Sequence, residues 1–381
     1  MRVAHVCLSC FYIDGFGYQE NELVRQHVAD GHEVTVIAST ETFGADRRLA
    51  YIAPSSYVGK DGAPVIRLPY RKLLPHRLMR KLRLHPGVLD LLRTIQPEVI
   101  MFHGLCGWEL YAAARYKREH PGVRLYVDSH EDRHNSARGF WSKHLLHRFY
   151  YAWIIRRCRR HFDKILCVSL ETMDFVQQTY GVPADQLEFY PLGGRVFDDA
   201  EYQERRERGR RHAGVSDDEV MLLQSGKMGP RKRVLESLRA FSRTPGTHLR
   251  FVLAGSFDEE LRAAAEAIIA ADERIAFLGW KSPEELGDLL CGADVYVQPG
   301  TQSATMQTSL CARCPVILDD VPSHAPYMTG NGWLIRQPAD LENAFAEISA
   351  DPSVLDAMAS KSLAIAKRLL DYRTLAARLL K

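Results

Sequence analysis

An α/β fold of two tandem, doubly wound parallel-sheet domains is what the sequence predicts, and three observations carry that expectation. Short, continuously apolar, β-rich runs alternate with stretches of helical spacing. The alternation runs from residue 2 to about residue 169 and then starts afresh near residue 219. Between the two series lies "YPLGGRVFDDAEYQERRERGRRHAGVSDD", polar, charged and short of apolar residues. Strands that are apolar throughout belong to a sheet covered on both faces. Ligands of such sheets bind outside the carboxyl ends of the strands, so a cleft between the domains is the expected site.

The elements follow in order. "RVAHVCLS" (2–9) reads as a strand, "FYIDGFGYQE" as a glycine-bearing loop, and "ENELVRQHVADGH" as a helix stopping at Gly31. Further strands read at 33–39, 63–69, 97–103, 123–129 and 164–169, most of them separated by helical patterns. The second series pairs "EVMLLQSG" with "RVLESLRAFSR", "LRFVLAGS" with "EELRAAAEAIIAA", and "RIAFLGW" with "SPEELGDLLCGA". It closes with "DVYVQPG", "PVILDD", "GWLI" and a stretch from about 340 to 381 that reads as helix throughout. The expected domains are 1–195, binding an acceptor, and 196–355, binding a donor. Residues 356–381 are expected as a C-terminal helix packing back on the first domain.

Composition excludes several classes. The net charge is +3, split between +7 in residues 1–195 and −4 in 196–381, which is too weak a bias for a nucleic-acid binder. The N-terminus has no signal-peptide pattern and no run approaches a membrane span, so a cytoplasmic protein is expected. Cys7/Cys10 and Cys311/Cys314 are C-x-x-C pairs about 300 residues apart in apolar runs, which reads as buried thiols rather than a metal site.

The chemistry gathers at "LLQSGKMGPRKRVLESLRAF" (222–241), where a strand gives way to a helix amid four cations. Free N–H groups and the positive dipole end of a helix favour an anion there. Gly226 and Gly229 permit close backbone approach, Lys227 and Lys232 add full charges, and Arg231 can grip two oxygens. A diphosphate suits the arrangement; a solvated basic helix start is the competing reading. Neither G-x-x-x-x-G-K-S/T nor G-x-G-x-x-G is present.

This stretch resembles the "G-R-L-x-x-x-K" segment of GT-B glycosyltransferases of the retaining family 4, with Lys227 in place of the usual Arg and Lys232 as the Lys. "FGYQENELVRQHVADGHEVTVIAS", "VSLETMDFVQQTYGVPADQLEFYPLGG", "FLGWKSPEELGDLLCGADVYVQPG" and "CPVIL" are similar to further passages of that family, in the same order. The resemblance implies the GT-B fold, a nucleotide diphosphate sugar as donor with no other cofactor and no metal, and transfer with retention. The acceptor implied is a saccharide or a lipid-linked sugar of a cell-surface polysaccharide or glycoconjugate.

The chain departs from the family at its E-x7-E motif. "PGTQSATMQTSLCARCPVIL" contains no Glu; counting from Pro315 puts Thr308 and Gly300 near the two positions. Gln302, Ser303, Thr305 and Gln307 offer neutral groups for sugar or ribose hydroxyls instead. In "DSHEDRHNS" (128–136) the resemblance points to His130 as a donor-sugar contact, with Asp128, Glu131 and Asp132 favouring its charged form. Asp128, His130 and Asp132 also admit a metal reading. Gly15, Gly17, Tyr18, Gln19 and Glu20 are the expected phosphate or acceptor loop. The basic, apolar-rich stretches 67–87 and 148–162 suit an anionic membrane surface or, equally, packed helices with a solvated face. The catalytic group implied is thus His130, Lys227 and Lys232. An inactive nucleotide-sugar-binding or partner-binding relative is the alternative, followed by another GT-B chemistry.

Overall fold

The computed structural model describes residues 1–44, 48–132 and 142–381. It divides into two compact units, Met1–Pro191 with Leu375–Lys381, and Leu192–Thr374. Of the residues expected to join the first domain as a C-terminal helix, 356–374 belong to the second unit and 375–381 to the first.

The first unit is built on an eight-stranded sheet. Its order is Leu187–Phe189, Lys164–Cys167, Arg124–Ser129, Val99–Phe102, Arg2–Cys7, Glu33–Ser39, Pro64–Leu68 and Ser56–Val58. All neighbours are parallel except the edge strand Ser56–Val58. The order reverses between Arg2–Cys7 and Val99–Phe102, where ligands of doubly wound sheets bind. Arg2–Cys7 is buried from Val3 onward because helices cover both faces of the sheet centre. Helix Gln19–Ala29 lays Leu23, Val24 and His27 against it, the three- to four-residue spacing of a buried stripe.

The second unit carries six parallel strands, in the order Ile275–Phe277, Leu249–Phe257, Val220–Met228, Val295–Gln298, Val316–Asp319 and Gly332–Ile335. Its order reverses between Val220–Met228 and Val295–Gln298. Phe241, Phe251 and Phe345 pack with Leu222, Val295 and Ile317 into its core. Each such side chain contributes on the order of 1.5–3 kcal/mol on burial.

Three local expectations are corrected. Strand Val220–Met228 runs on through Gly226 and Lys227, so the turn lies at 229–233 rather than at Gly226. The reason is close pairing: Gly226 faces Gly255, where an added Cβ would sit 1.9 Å from the Gly226 oxygen. The polar linker holds a helix, Asp199–Ala213, capped by the Asp198 side chain and ended by Gly214 in the left-handed region. It packs on helix Pro283–Gly292 with Arg206 and Arg210 on Asp294; a Cβ at Gly209 would meet the Asp288 oxygen at 1.9 Å. The final stretch is broken into Pro338–Ala350, Val354–Ile365, a π-turn Ala366–Leu370 and Tyr372–Arg378. Pro352 and the Asp351 carboxylate, which accepts from the Ser353 N–H at 3.1 Å, end the first of these.

Candidate active site

In the second unit two loops at the carboxyl edge of the sheet are knitted together. After Met228, Gly229 leads into a 3-10 turn at Pro230–Lys232, and Arg233 takes φ +53° before helix Val234–Arg243. The loop after Val295–Gln298 lies against this turn. Thr301 N–H donates to the Arg231 carbonyl (3.1 Å), Lys232 Nζ to the Thr301 carbonyl (2.8 Å) and Arg233 to the Pro299 carbonyl (3.1 Å). Gln224 donates to the Lys232 carbonyl (3.0 Å) and Gln298 to the Thr301 carbonyl (2.8 Å). Gly300 makes the approach possible: a Cβ there would lie 2.2 Å from the Arg231 oxygen.

The cations differ in setting. Burial, with Arg231 beside it, pushes the Lys232 amine down to about 8. Its hydrogen-bond acceptor is a neutral carbonyl, so its charge is not cancelled. Lys227 is exposed at the end of the strand, 3.6 Å from Asp258. Arg231 is exposed. Gly226 has φ +112° and open space where a side chain would stand.

The Gln/Ser/Thr segment forms a neutral network. Ser303 caps helix Ala304–Cys311 and donates to Gln298 (2.5 Å). Gln302 and Gln307 both donate to the Tyr327 hydroxyl, at 3.2 and 2.7 Å. That leaves Gln307 Oε1 buried, with no hydrogen-bond partner among the described residues. Thr308 is turned into its own helix, donating to the Ala304 carbonyl (2.8 Å), and Thr305 sits partly buried one turn earlier. Tyr327, Gln298 and Gln224 were missed in the sequence, since a lone Tyr and two strand amides carry no spacing signal.

In the first unit the expected loop follows Arg2–Cys7. Gly15 takes φ +75° against Lys60, where a Cβ would fall 2.6 Å from Cδ. Gly17 and the exposed Tyr18 come next, with Tyr18 beside Phe16. Gln19 and Glu20 are buried in the first turn of helix Gln19–Ala29 rather than displayed on it. His130 follows strand Arg124–Ser129, partly exposed, with Nε2 3.6 Å from Asp128 Oδ2. Burial opposes its charge and Asp128 outweighs burial, so its proton affinity is raised. Asp128 is buried between His103 Nδ1 (2.7 Å) and the Gly104 N–H (2.6 Å). His103 continues to His5 and His27, a row of buried rings that sequence spacing did not reveal. Burial pushes Glu131 up to about 7, and the Tyr180 hydroxyl donates to it. Residues 133–136 of the same stretch lie outside the described residues. Among the described residues no three of His, Cys, Asp and Glu gather as a metal would need.

The two basic stretches meet. Tyr150 and Tyr151 donate to the Leu82 and Lys81 carbonyls. Leu73, Leu74, Leu78, Phe149 and Trp153 are exposed, as are Arg71, Lys72, Arg77, Arg148, Arg156 and Arg157, and Arg157 lies over the Trp153 ring. Two of the expected surface cations are internal instead: Arg67 is buried on the Tyr12 and Ser39 carbonyls, and Arg83 reaches Glu41. No helix among the described residues is long and apolar enough to cross a membrane.

Residues 15–193 match the family described as glycosyl transferase 4-like domain, and residues 219–351 match glycosyl transferases group 1. The chain belongs to the GT-B glycosyltransferases. Among solved structures, this glycosyltransferase is similar to Anabaena HepE in complex with UDP, with a TM-score of 0.65, 15% identity, and coverage of 100% of this chain and 98% of that one. It is also similar to WaaG, a glycosyltransferase involved in lipopolysaccharide biosynthesis, with a TM-score of 0.60, 18% identity, and coverage of 99% and 98%. A curated relative is the alpha-galactosylglucosyldiacylglycerol synthase of Streptococcus pneumoniae, 25% identical over 176 residues. That match spans 43% of this chain and 46%, about half, of the relative.

Proposed function

We propose that this glycosyltransferase moves a sugar from a nucleotide diphosphate donor to a saccharide or lipid-linked acceptor, with retention and without a metal ion. The observation that carries the reading is Lys232: a half-buried amine whose hydrogen-bond acceptor is a carbonyl, leaving its charge for a departing diphosphate. Lys227 and Arg231 supply outer charge, while Gln302, Ser303, Thr305, Gln307 and Thr308 surround the sugar and ribose with neutral groups. The buried Gln307 Oε1 is an acceptor suited to a hydroxyl. His130 meets the donor sugar, and Gly15, Gly17 and the exposed Tyr18 border the acceptor. HepE was crystallised with UDP, which supports a uridine donor as the first to try.

The exposed Leu73–Leu74–Leu78 and Phe149–Trp153 patch among arginines supports docking on the cytoplasmic face of an anionic membrane. A lipid-linked acceptor there would serve polysaccharide or glycoconjugate synthesis, and the curated relative is a glycolipid synthase. A second reading, binding without turnover, draws on the absence of any carboxylate between Pro299 and Pro315. Thermal shift against UDP- and GDP-sugars, followed by donor hydrolysis, tests both. Stabilisation with turnover is expected; stabilisation without turnover selects the second reading, and no stabilisation by any nucleotide sugar removes the first.

A further inference from the structure

Three histidines of the first unit, His5, His27 and His103, are fully buried. His27 Nε2 lies 3.1 Å from the Ala376 carbonyl, which only accepts, so Nε2 carries a proton. His27 Nδ1 is 3.0 Å from His5 Nε2, and His5 Nδ1 is 2.9 Å from His103 Nε2. His103 Nδ1 ends the row 2.7 Å from Asp128 Oδ2. The row therefore holds four hydrogen bonds between two oxygen ends. Each bond needs one proton, and three neutral imidazoles bring only three. The fourth belongs to the His103–Asp128 pair. Asp128 Oδ1 accepts the Gly104 N–H and Oδ2 faces His130, the setting of a carboxylate, so the extra proton sits on His103 as an imidazolium.

We propose that His27, His5 and His103 are positioning residues that hold one extra proton against Asp128, cancel its charge, and so loosen the grip of His130 on its own proton. The facing groups agree with the count. Burial drives His5 far down and His27 to about 4, and His5, His27 and His103 repel one another's charge. Burial opposes charge on His103 too, but Cys7, Asp128 and Glu20 outweigh it and lift His103 to about 10. Asp30 and His32 face His27 with opposite effects. His103 in turn lowers the proton affinity of His130, while Asp128 and Glu20 raise it. Held less tightly than Asp128 alone would hold it, the His130 proton is easier to pass to a sugar hydroxyl or to take back from one.

The count makes a remote substitution informative. With His27 replaced by Phe, His5 no longer needs to donate toward it. His5 Nδ1–H then serves His103 Nε2, His103 Nδ1–H serves Asp128, and two neutral rings suffice. The charge of Asp128 falls on His130 instead. His27→Gln keeps an acceptor toward His5 and a donor toward Ala376, so it preserves the extra proton.

The inference deepens the proposed donor-side role of His130, and its test is independent of turnover. Nitrogen-15 histidine NMR of the full chain should show His103 with both ring nitrogens protonated at pH 8, and His5 and His27 neutral with the proton on Nε2. His27→Phe should remove the second His103 proton and raise the His130 midpoint by about 1 pH unit or more, with His27→Gln restoring it. The pH–rate profile for donor turnover should move by the same amount. A neutral His103 in the wild-type protein at pH 8 overturns the proposal, as does an unchanged or lowered His130 midpoint in folded His27→Phe. Should that variant not fold, the wild-type spectrum alone decides. Midpoints that move as expected in a protein without turnover leave the row standing and remove the donor-side reading.

Discussion

At the carboxyl edge of its sheet, the first unit keeps its charge inside. His103 and Asp128 are fully buried, hydrogen-bonded to each other, and extended by His5 and His27. The second unit keeps its charge outside, with Lys227 exposed and Lys232 hydrogen-bonded to a carbonyl, above a network of amides and hydroxyls that carries none. A buried pair has settled its electrostatics before any ligand arrives, because desolvation forces each charge to find its partner during folding. An amine on a carbonyl has not, and an arriving anion can still claim it. The first edge is thus fitted for holding a geometry and the second for taking a charge.

The most damaging way to break the contrast is Asp128→Ala, which strands the extra proton of the histidine row. We expect a loss of about 3–5 kcal/mol, the cost of removing one partner of a buried ion pair, read by urea unfolding. Next is Lys232→Ala, expected to weaken nucleoside diphosphate binding by about 1.5–3 kcal/mol in calorimetry without a comparable loss of stability. Unchanged affinity would remove the diphosphate reading of this edge.

Stability against pH sharpens the contrast further. His27, depressed to about 4, contributes stability that is present above pH 6.5 and lost as pH falls toward 4. His103, raised to about 10, contributes stability present below pH 6.5 and lost as pH rises toward 10. Urea midpoints should therefore peak near pH 6.5 and decline on both sides, and Asp128→Ala should flatten the alkaline limb. Lys227→Ala should cost diphosphate affinity no more than about 1 kcal/mol, because the amine is exposed and screened. Smallest per residue, Leu73→Glu or Phe149→Glu should reduce binding to anionic vesicles in a sedimentation assay while leaving soluble-donor hydrolysis unchanged.

Much of the fold was legible because it rests on local pattern. Apolar strands, helical spacing and a restart near residue 219 appear in the chain as they appear in space. The helix Asp199–Ala213 was not legible: its 15 residues carry little apolar surface, and arginine–aspartate pairs and a close glycine contact anchor it. Lys227, Lys232, Gln302 and Gln307 of the candidate site announced themselves by cluster and position. Tyr327, which gathers Gln302 and Gln307, and the row from His27 to Asp128 did not, since their members stand up to 101 residues apart in sequence.

The sequence by itself determined the alternation of elements, the two parallel sheets and the residue types at their edges, because periodicity and turn chemistry act over a few residues. Only the tertiary structure decided which of those residues are charged, spent or available. Lys232 and Lys227 are alike in the chain, yet one is half-buried on a carbonyl and the other stands in solvent near Asp258. Proton position and charge compensation depend on which groups meet in space and how far water is excluded, and neither is a property of neighbours along the chain.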